Sequence, residues 1–565
     1  MILGEKYDTL HVQDMETNPS DNQIEIPSKG IVKTLYGKVK QFVLNFLNGQ
    51  LGGHWCMFWA FLLLMLYPVL SDMTAWRAVS RLALCYAAYF LAYACTYIGS
   101  LVKPKVLRRI YFTIVFAIIF VYSIMDTACS HVLYTGLNRD KVYAILATNA
   151  NEASEFFNAY FTPQVIGAVS ILIVLIVGLF VLFKRVKFKT SVIACRIGVL
   201  LFLACAKITI GSFWICEDNV IGFVRNVFDF ITMSKVEVCQ DTPKLTVNSN
   251  NQTPLIIFVI GESLTNHHCS LYGYDKPTNP FTKPRVDKGE VLLFKNVKSA
   301  GLYTLASFQK MMSTYEKSMG DKVKWNECPT LPNIAKVANY HTHWISNQSK
   351  KGLHDNIVGQ YSDFCDTCVF IGNKFAGMAR TSYDGELLPV FKSMLQRDKT
   401  AHNFYILHQM GCHVHFAARY PSSFNFFKEN DYKNYPENQR ILRAAYDNAV
   451  RYNDYVVNSV FDMVSQRDAI VIFAPDHGLD IYESNPNAAG HCNVSNPISV
   501  KAAHDIPFLI YMTPLFRERH GDFAQRAQQS VDREFDMEDI IYLIMDLMQC
   551  DFEKPMVAQK SLIRK

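Results

Sequence analysis

Leu255-Ile256-Ile257-Phe258-Val259-Ile260, opened by Pro254 and closed by Gly261-Glu262-Ser263, is an unbroken apolar run rich in β-branched residues. It shows no polar alternation, so a strand built from it is covered on both faces, as in a parallel sheet. Three further runs repeat the pattern. Ala469-Ile470-Val471-Ile472-Phe473-Ala474 ends at Pro475-Asp476-His477-Gly478, and Asn403-Phe404-Tyr405-Ile406-Leu407 ends at His408-Gln409-Met410-Gly411-Cys412-His413. The fourth is Pro507-Phe508-Leu509-Ile510-Tyr511. Helical patterns such as Arg440 to Val464 lie between them. The fold expected from about residue 253 onward is therefore alternating α/β, in which ligands gather beyond the carboxyl ends of the strands.

Three of those strand ends carry metal-ligand residue types. Glu262 and the Asp476-His477 pair offer three of the four ligands that zinc usually takes. A hydroxyl in the fourth position would become a nucleophile at neutral pH, because zinc lowers the pKa of a bound oxygen. That oxygen is either a water, giving a hydrolase, or a Ser or Thr side chain, giving a covalent transferase. Several hydroxyls compete in Ser299-Ala300-Gly301-Leu302-Tyr303-Thr304-Leu305-Ala306-Ser307. His413, His415, His491 and His504 are candidates for a second metal, a proton donor or a phosphate contact, or else are structural histidines.

The first 215 residues read differently. Mean hydropathy over the chain is close to zero only because a strongly apolar half is averaged with an ordinary one. Five stretches are long and apolar enough to cross a bilayer, which takes about 20 residues, at about 54–71, 82–101, 110–130, 164–183 and 194–214. Lys29, Lys33, Lys38 and Lys40 precede the first stretch. Lys103, Lys105, Arg108 and Arg109 separate the second from the third, and Lys184, Arg185, Lys187 and Lys189 the fourth from the fifth. The alternate loops are poorer in Lys and Arg, so the N-terminus is expected inside and everything after about residue 215 outside. Residues 1–28 are polar, and no cleavable signal is expected there. In the loop 131–163, Thr148, Glu152 and Glu155 share one face if the segment is helical. That face suits a lipid head group, and equally a solvated surface. Fifty-six basic against 50 acidic side chains is too balanced a charge for a nucleic-acid partner. Of the 15 cysteines, those at 56, 85, 95, 129, 195 and 205 fall in the apolar stretches. Among the rest, Cys365 and Cys368 form the best local pair for a disulfide.

Gly261-Glu262-Ser263, Ser270-Leu271-Tyr272-Gly273-Tyr274 and Thr278-Asn279-Pro280 together resemble the phosphoethanolamine transferases of Gram-negative bacteria, which include lipid A modifiers and mobile colistin-resistance enzymes. The resemblance continues in His408-Gln409-Met410-Gly411 with His413, in Arg419-Tyr420-Pro421, in Tyr446 to Asp454, and in Asp476-His477-Gly478. It implies an α-helical membrane domain of five transmembrane helices and an α/β/α periplasmic domain of alkaline-phosphatase or sulfatase-like type. The expected division is a cytoplasmic segment 1–50, a transmembrane domain 51–215, a linker 216–252 and a periplasmic catalytic domain 253–565, in a multi-pass protein of the bacterial inner membrane. The resemblance also implies one or two zinc ions, with Glu262, Thr304, Asp476 and His477 as ligands. Thr304 would take phosphoethanolamine from phosphatidylethanolamine and pass it to lipopolysaccharide, on core heptose or lipid A, or to another periplasmic glycan. His413 and His491 match two histidines that bind phosphate or a second zinc. Ser349 and Lys351 fall near head-group contacts, and Thr148 and Glu152 resemble donor-lipid contacts.

The chain departs from that pattern around Thr304. The family's Cys-Gly-Thr-x-Thr is here Ala300-Gly301-Leu302-Tyr303-Thr304, and Gly478 is followed by Leu479-Asp480-Ile481-Tyr482. These differences point away from lipid A and toward core heptose or other sugars. The competing expectations are a glycerol-phosphate transferase of the lipoteichoic-acid-synthase type and a zinc phosphodiesterase or sulfatase-like hydrolase. No Cys-x-Pro-x-Arg segment, the source of a sulfatase nucleophile, occurs in the sequence.

Overall fold

A computed structural model describes parts of residues 34–41, most of 51–132, parts of 137–146, and residues 163–185, 220–233 and 237–563. The last range is interrupted at 349, 351–354, 373–381, 487–488 and 491–495. The run that opens at Leu255 forms β1 (Leu255–Gly261), the middle strand of a seven-stranded sheet. The other strands are β2 (Val291–Phe294), β3 (His341–Ser346), β4 (Thr367–Phe370), β5 (Asn403–His408), β6 (Ala469–Pro475) and β7 (Phe508–Met512), in the order β2-β7-β6-β1-β5-β3-β4. Only β7 opposes its neighbours; β6, β1, β5, β3 and β4 run parallel.

The lack of alternation in β1 has its reason in the two cores. Ile256, Phe258 and Ile260 enter one apolar cluster, and Leu255, Ile257 and Val259 enter another on the opposite face. The first face is covered by Phe308 and Met311 of one helix and by the helix Ile540–Leu547. The second is covered by the long helix Glu437–Val464, whose Val456, Val457, Val460 and Phe461 are buried against it. Such side chains each contribute roughly 2–5 kcal/mol over alanine. The α/β/α layering follows.

In the apolar half, α1 (Trp55–Ser71), α2 (Ala78–Leu101), α3 (Lys105–Val132) and α4 (Pro163–Arg185) coincide with four of the five expected spans. Among the described residues two helices, Lys105–His131 and Pro163–Lys184, are long and apolar enough to cross a membrane, against the five spans expected. The other two described helices, α1 of 17 and α2 of 24 residues, carry described apolar segments at Trp55–Pro68 and Ala88–Leu101. The expected span 194–214 lies outside the described residues. Leu107, Ile110, Ile114 and Val121 on α3, and Ile171, Val174 and Val177 on α4, are exposed apolar side chains, as a lipid-facing surface requires.

The stretch expected as a linker contains α5 (Val220–Met233), and its Leu245–Val247 pairs antiparallel with Cys550–Phe552. Val220, Phe223 and Phe230 join the core of the apolar half, whereas the 245–247 strand belongs to the α/β domain. Leu305 packs against the cores of both halves, so the α/β domain touches the apolar half beside Thr304. Cys365 and Cys368 are free thiols: Cys365 is buried in the core, and the Cys368 thiol donates to the Ser362 carbonyl at 2.8 Å.

Candidate active site

β1 and β6 are adjacent and in register to Gly261 and Pro475, so the next residues, Glu262 and Asp476, emerge side by side from the carboxyl edge of the sheet. His477 follows directly. All three are buried, and their ligand atoms lie within 4.8 Å of one another. His477 Nε2 is 3.2 Å from Glu262 Oε1 and 3.7 Å from Asp476 Oδ2. The Nδ1 atom of His477 lies 2.8 Å from the Gly478 carbonyl, which accepts its proton and orients Nε2 toward the carboxylates.

The fourth corner is Thr304, the first residue of α6 (Thr304–Met311). Its Oγ1 lies 3.2 Å from each oxygen of Glu262 and 3.5 Å from His477 Nε2. The competing hydroxyls point elsewhere. Ser299 donates to the Gly301 carbonyl at 2.6 Å, and Ser307 is buried in the next helical turn. Gly301 is required by close approach: a Cβ there would sit 2.8 Å from the backbone of Ala306 and Ser307. The helix start also directs unpaired backbone N–H groups and a positive dipole end toward Thr304.

Asp476 Oδ1 accepts from the N–H groups of Ser263 (3.2 Å) and His477 (2.7 Å), while Oδ2 is buried with no hydrogen-bond partner among the described residues. Burial and the neighbouring Glu262 charge push the Asp476 carboxyl well above the usual range. Burial also opposes ionisation of Glu262, yet the His477 hydrogen bond and charge hold it well below its ordinary value. Burial works against a charged His477 as well, but Asp476 and Glu262 raise it to about 9. A pair of carboxylates, one with an orphaned oxygen, beside an imidazole nitrogen that would give up its proton to a cation is a donor set that fits a divalent ion such as zinc.

Around these four, several residues that residue-type reasoning did not single out fix the geometry. Ser263 donates its hydroxyl to Glu262 Oε1 at 2.8 Å, and Gln348 Nε2 lies 3.4 Å from Oε2. Buried Asp384 accepts from the N–H groups of Met410 and Gly411 and from Asn347, each at 2.8 Å, pinning the loop that carries His413. Gly411 has φ +54°, and a Cβ on it would lie 2.5 Å from the Glu262 carbonyl. The Cys412 N–H donates to that same carbonyl at 2.8 Å. Burial lowers His413 to about 4, with the Glu262 charge opposing. The family-like motifs form the outer frame. The Tyr446 hydroxyl donates to Ser263 O (3.0 Å) and accepts from Thr265 N (3.1 Å), and Asp447 binds His268 (2.6 Å) and Tyr274 (2.8 Å). Asp454 holds Thr282 and accepts from the Phe281 N–H at 2.7 Å. Their tyrosines and carboxylates had no visible chemical task in the sequence because their task is to hold backbone.

The structure thus brings together Glu262, Thr304, Asp476 and His477, with His413 on the adjoining loop. His504 is not part of the group; it bonds Ser299. Thr148, Glu152, Ser349, Lys351 and His491 lie outside the described residues.

The sulfatase family profile matches residues 254–550. Phosphoethanolamine transferase EptC of Escherichia coli (strain K12) is 26% identical over 459 residues, which cover 75% of this chain and 78% of that protein. The C-terminal periplasmic domain of Escherichia coli EptC, crystallised in complex with Zn, superposes with a TM-score of 0.52 at 26% identity, covering 58% of this chain and 90% of that one. The integral membrane lipooligosaccharide phosphoethanolamine transferase A (EptA) of Neisseria meningitidis gives a TM-score of 0.67 at 19% identity, over 91% of this chain and 96% of that one. At that identity the likeness is one of fold.

Proposed function

The chain belongs to the sulfatase family, and within it to the phosphoethanolamine transferases, and we propose that it moves phosphoethanolamine from phosphatidylethanolamine to an envelope glycan through a covalent phospho-Thr304. The observation that carries this reading is Thr304 Oγ1, within 3.2 Å of both Glu262 oxygens and 3.5 Å of His477. A hydrolase needs only a water at that corner, whereas here a side-chain hydroxyl fills it.

Glu262, Asp476 and His477 would hold the zinc, whose positive charge would favour the ionised Thr304 hydroxyl at neutral pH. Thr304 Oγ1 attacks the phosphorus of the donor, the Oγ–P bond forms, and the P–O bond to glycerol breaks. Diacylglycerol leaves with a proton. The first-turn N–H groups of α6 face the negative charge that grows on the phosphoryl oxygens. An acceptor oxygen then attacks the same phosphorus and Thr304 is released. His413, neutral at physiological pH because burial lowers it to about 4, offers hydrogen bonds to phosphate. His491, Ser349 and Lys351 are assigned to phosphate and head group by their place in the motifs, and Thr148 and Glu152 to the donor lipid. Leu305, packed against the apolar half, keeps the nucleophile next to the surface from which a lipid donor arrives. The alternation of Lys and Arg supports a cytoplasmic N-terminus and a periplasmic catalytic domain in the inner membrane. The acceptor assigned is lipopolysaccharide, core heptose ahead of lipid A.

The test expresses the wild type and Thr304→Ala in a bacterial host lacking such transferases, with mass spectrometry of lipid A, core oligosaccharide and periplasmic glucans. A phosphoethanolamine increment on one of these, absent with Thr304→Ala, is expected. An increment of glycerol phosphate, or an increment that survives the substitution, overturns the reading.

A further inference from the structure

A second group of metal-ligand side chains lies at the opposite end of the sheet. His341 and His343 occupy alternate positions of β3, so both rings project from one face. Asp398 is the C-cap of α7 (Leu387–Arg397), which packs on that face. His343 Nε2 is 2.7 Å from Asp398 Oδ2 and His341 Nδ1 is 3.7 Å from the same oxygen. One ligand atom from each residue lies within 4.8 Å of the others. β3 starts at His341 and ends at Ser346, beside His408 of β5. At 3.3 Å per residue, about 10 Å of strand from His343 and about 17 Å from His341 therefore separate this group from the carboxyl edge where Glu262 and Asp476 emerge.

Three features distinguish it from a chance cluster of polar side chains. The first is the division of labour on the carboxylate. Asp398 Oδ1 is taken by the Thr400 N–H (3.0 Å) and hydroxyl (2.6 Å), which turns Oδ2 toward the histidines; the Tyr405 hydroxyl, at 3.2 Å from Oδ2, steadies it there. Metal-binding carboxylates are held in this way. The second is the rigidity of His343. It is buried, and its ring stacks on Tyr405 with centroids 4.1 Å apart and planes at 13°. The third is His341 Nδ1, which is shielded from solvent and has no hydrogen-bond partner among the described residues, while the body of the ring borders a cavity of about 430 Å³ lined also by Thr400 and His402. A shielded acceptor or donor with no partner is costly, and the cavity gives a small ion a way in.

The geometry points to a second divalent-metal site, with His341, His343 and Asp398 as ligands and a water from the cavity in the fourth position. Two imidazoles and one carboxylate select a borderline first-row ion, zinc foremost. Tetrahedral zinc at about 2.0–2.1 Å sets ligand atoms about 3.3 Å apart, so His343 and Asp398 separate slightly on binding and His341 closes in. Both hydroxyls described beside this group are committed to the carboxylate, Thr400 to Asp398 Oδ1 and Tyr405 to Oδ2. The site therefore lacks a nucleophile, and its role is to fasten the start of β3 to the end of α7.

The full-length protein in detergent is stripped with a chelator, reloaded with zinc chloride, desalted and assayed for zinc per chain. The variants are Glu262→Gln/Asp476→Asn, which cripples the catalytic set, and the same pair combined with His341→Gln or with Asp398→Asn. The expected result is one zinc per chain in the double variant that both triple variants lack. Cobalt(II) in place of zinc should give the double variant the visible absorption of a tetrahedral ion, lost in the triples. Circular dichroism verifies that each is folded; His341 is partly exposed, so its substitution is the one least able to disturb the core. Equal zinc in folded double and triple variants overturns the assignment, as does a folded double variant with no zinc.

Discussion

The two ends of one sheet carry two clusters of similar ligand types and different surroundings. At the carboxyl edge two carboxylates and one histidine are buried together, and a threonine hydroxyl at a helix start completes the group. At the amino end two histidines share one carboxylate, and the neighbouring Thr400 and Tyr405 hydroxyls are spent on that carboxylate. The comparison separates holding a metal from using one. Chemistry needs an oxygen nucleophile within reach and anion-stabilising N–H groups beyond it, and only the carboxyl edge has both. A parallel sheet makes this asymmetry natural, since the loops that follow its strands converge on one edge.

The largest expected effect tests whether the hydroxyl is what makes the difference. Thr304→Ala should lower transfer from phosphatidylethanolamine by about 10⁴-fold or more, the scale seen when a covalent nucleophile is removed. It should leave the amino-end metal in place. Release of diacylglycerol from a labelled lipid measures the first half-reaction directly. Activity retained above about a tenth would erase the distinction drawn between the two ends.

Acid sensitivity separates the ends next. His408 closes β5 beneath Glu262, and burial lowers it from 6.5 to about 4, with the Glu262 charge opposing. Its folded pKa lies below the unfolded one, so between about pH 4 and 6.5 the unfolded chain binds the extra proton. Stability from this group is complete above about pH 6.5 and is lost as the pH falls toward 4, by about 3 kcal/mol. Chemical denaturation from pH 7.5 to 5 should show that decline, and His408→Gln should flatten it. An unchanged slope in the variant would place the acid liability elsewhere.

Much of the carboxyl edge was legible in the sequence, and the reason is local. Glu262 and Asp476-His477 each follow directly from an apolar strand, so strand recognition alone delivered them. Thr304 was ambiguous among neighbouring hydroxyls, because the start of α6 depends on tertiary packing at Gly301 rather than on a cap: Tyr303 makes no side-chain capping bond. Asp384 was invisible because its partners are backbone N–H groups 26 and 27 residues away. The amino-end cluster was invisible for a similar reason. His341 and His343 face Asp398 only once β3, α7 and β5 are packed. In the apolar half, charge and length located the four helices that the structure describes, and the fifth expected span, 194–214, lies outside the described residues.

Gly411 tests how tightly the carboxyl edge is built. Its φ of +54° and the 2.5 Å approach of any Cβ to the Glu262 carbonyl mean that Gly411→Ala must displace either the His413 loop or Glu262. A destabilisation of about 1–3 kcal/mol is expected from the backbone strain. The rate should fall by about 10- to 100-fold as His413 moves from its place. Denaturation and steady-state kinetics on the same preparation check both. A stable, fully active Gly411→Ala would show that the loop is looser than Asp384 makes it.

The smallest effect is expected at the other end. His341→Gln removes one ligand at the start of β3, a strand length of about 17 Å from that strand's carboxyl end. Transfer should stay within about two-fold of wild type. In excess zinc its melting temperature should fall by about 2–4 °C, the shift that about 1 kcal/mol produces in a domain of a few hundred residues. After chelation the two proteins should melt together, because the lost stability belongs to the bound ion. A difference that persists without metal would assign His341 to packing. A loss of transfer comparable to that of Thr304→Ala would mean that β3 carries strain from one end of the sheet to the other, and that the ends do not act independently.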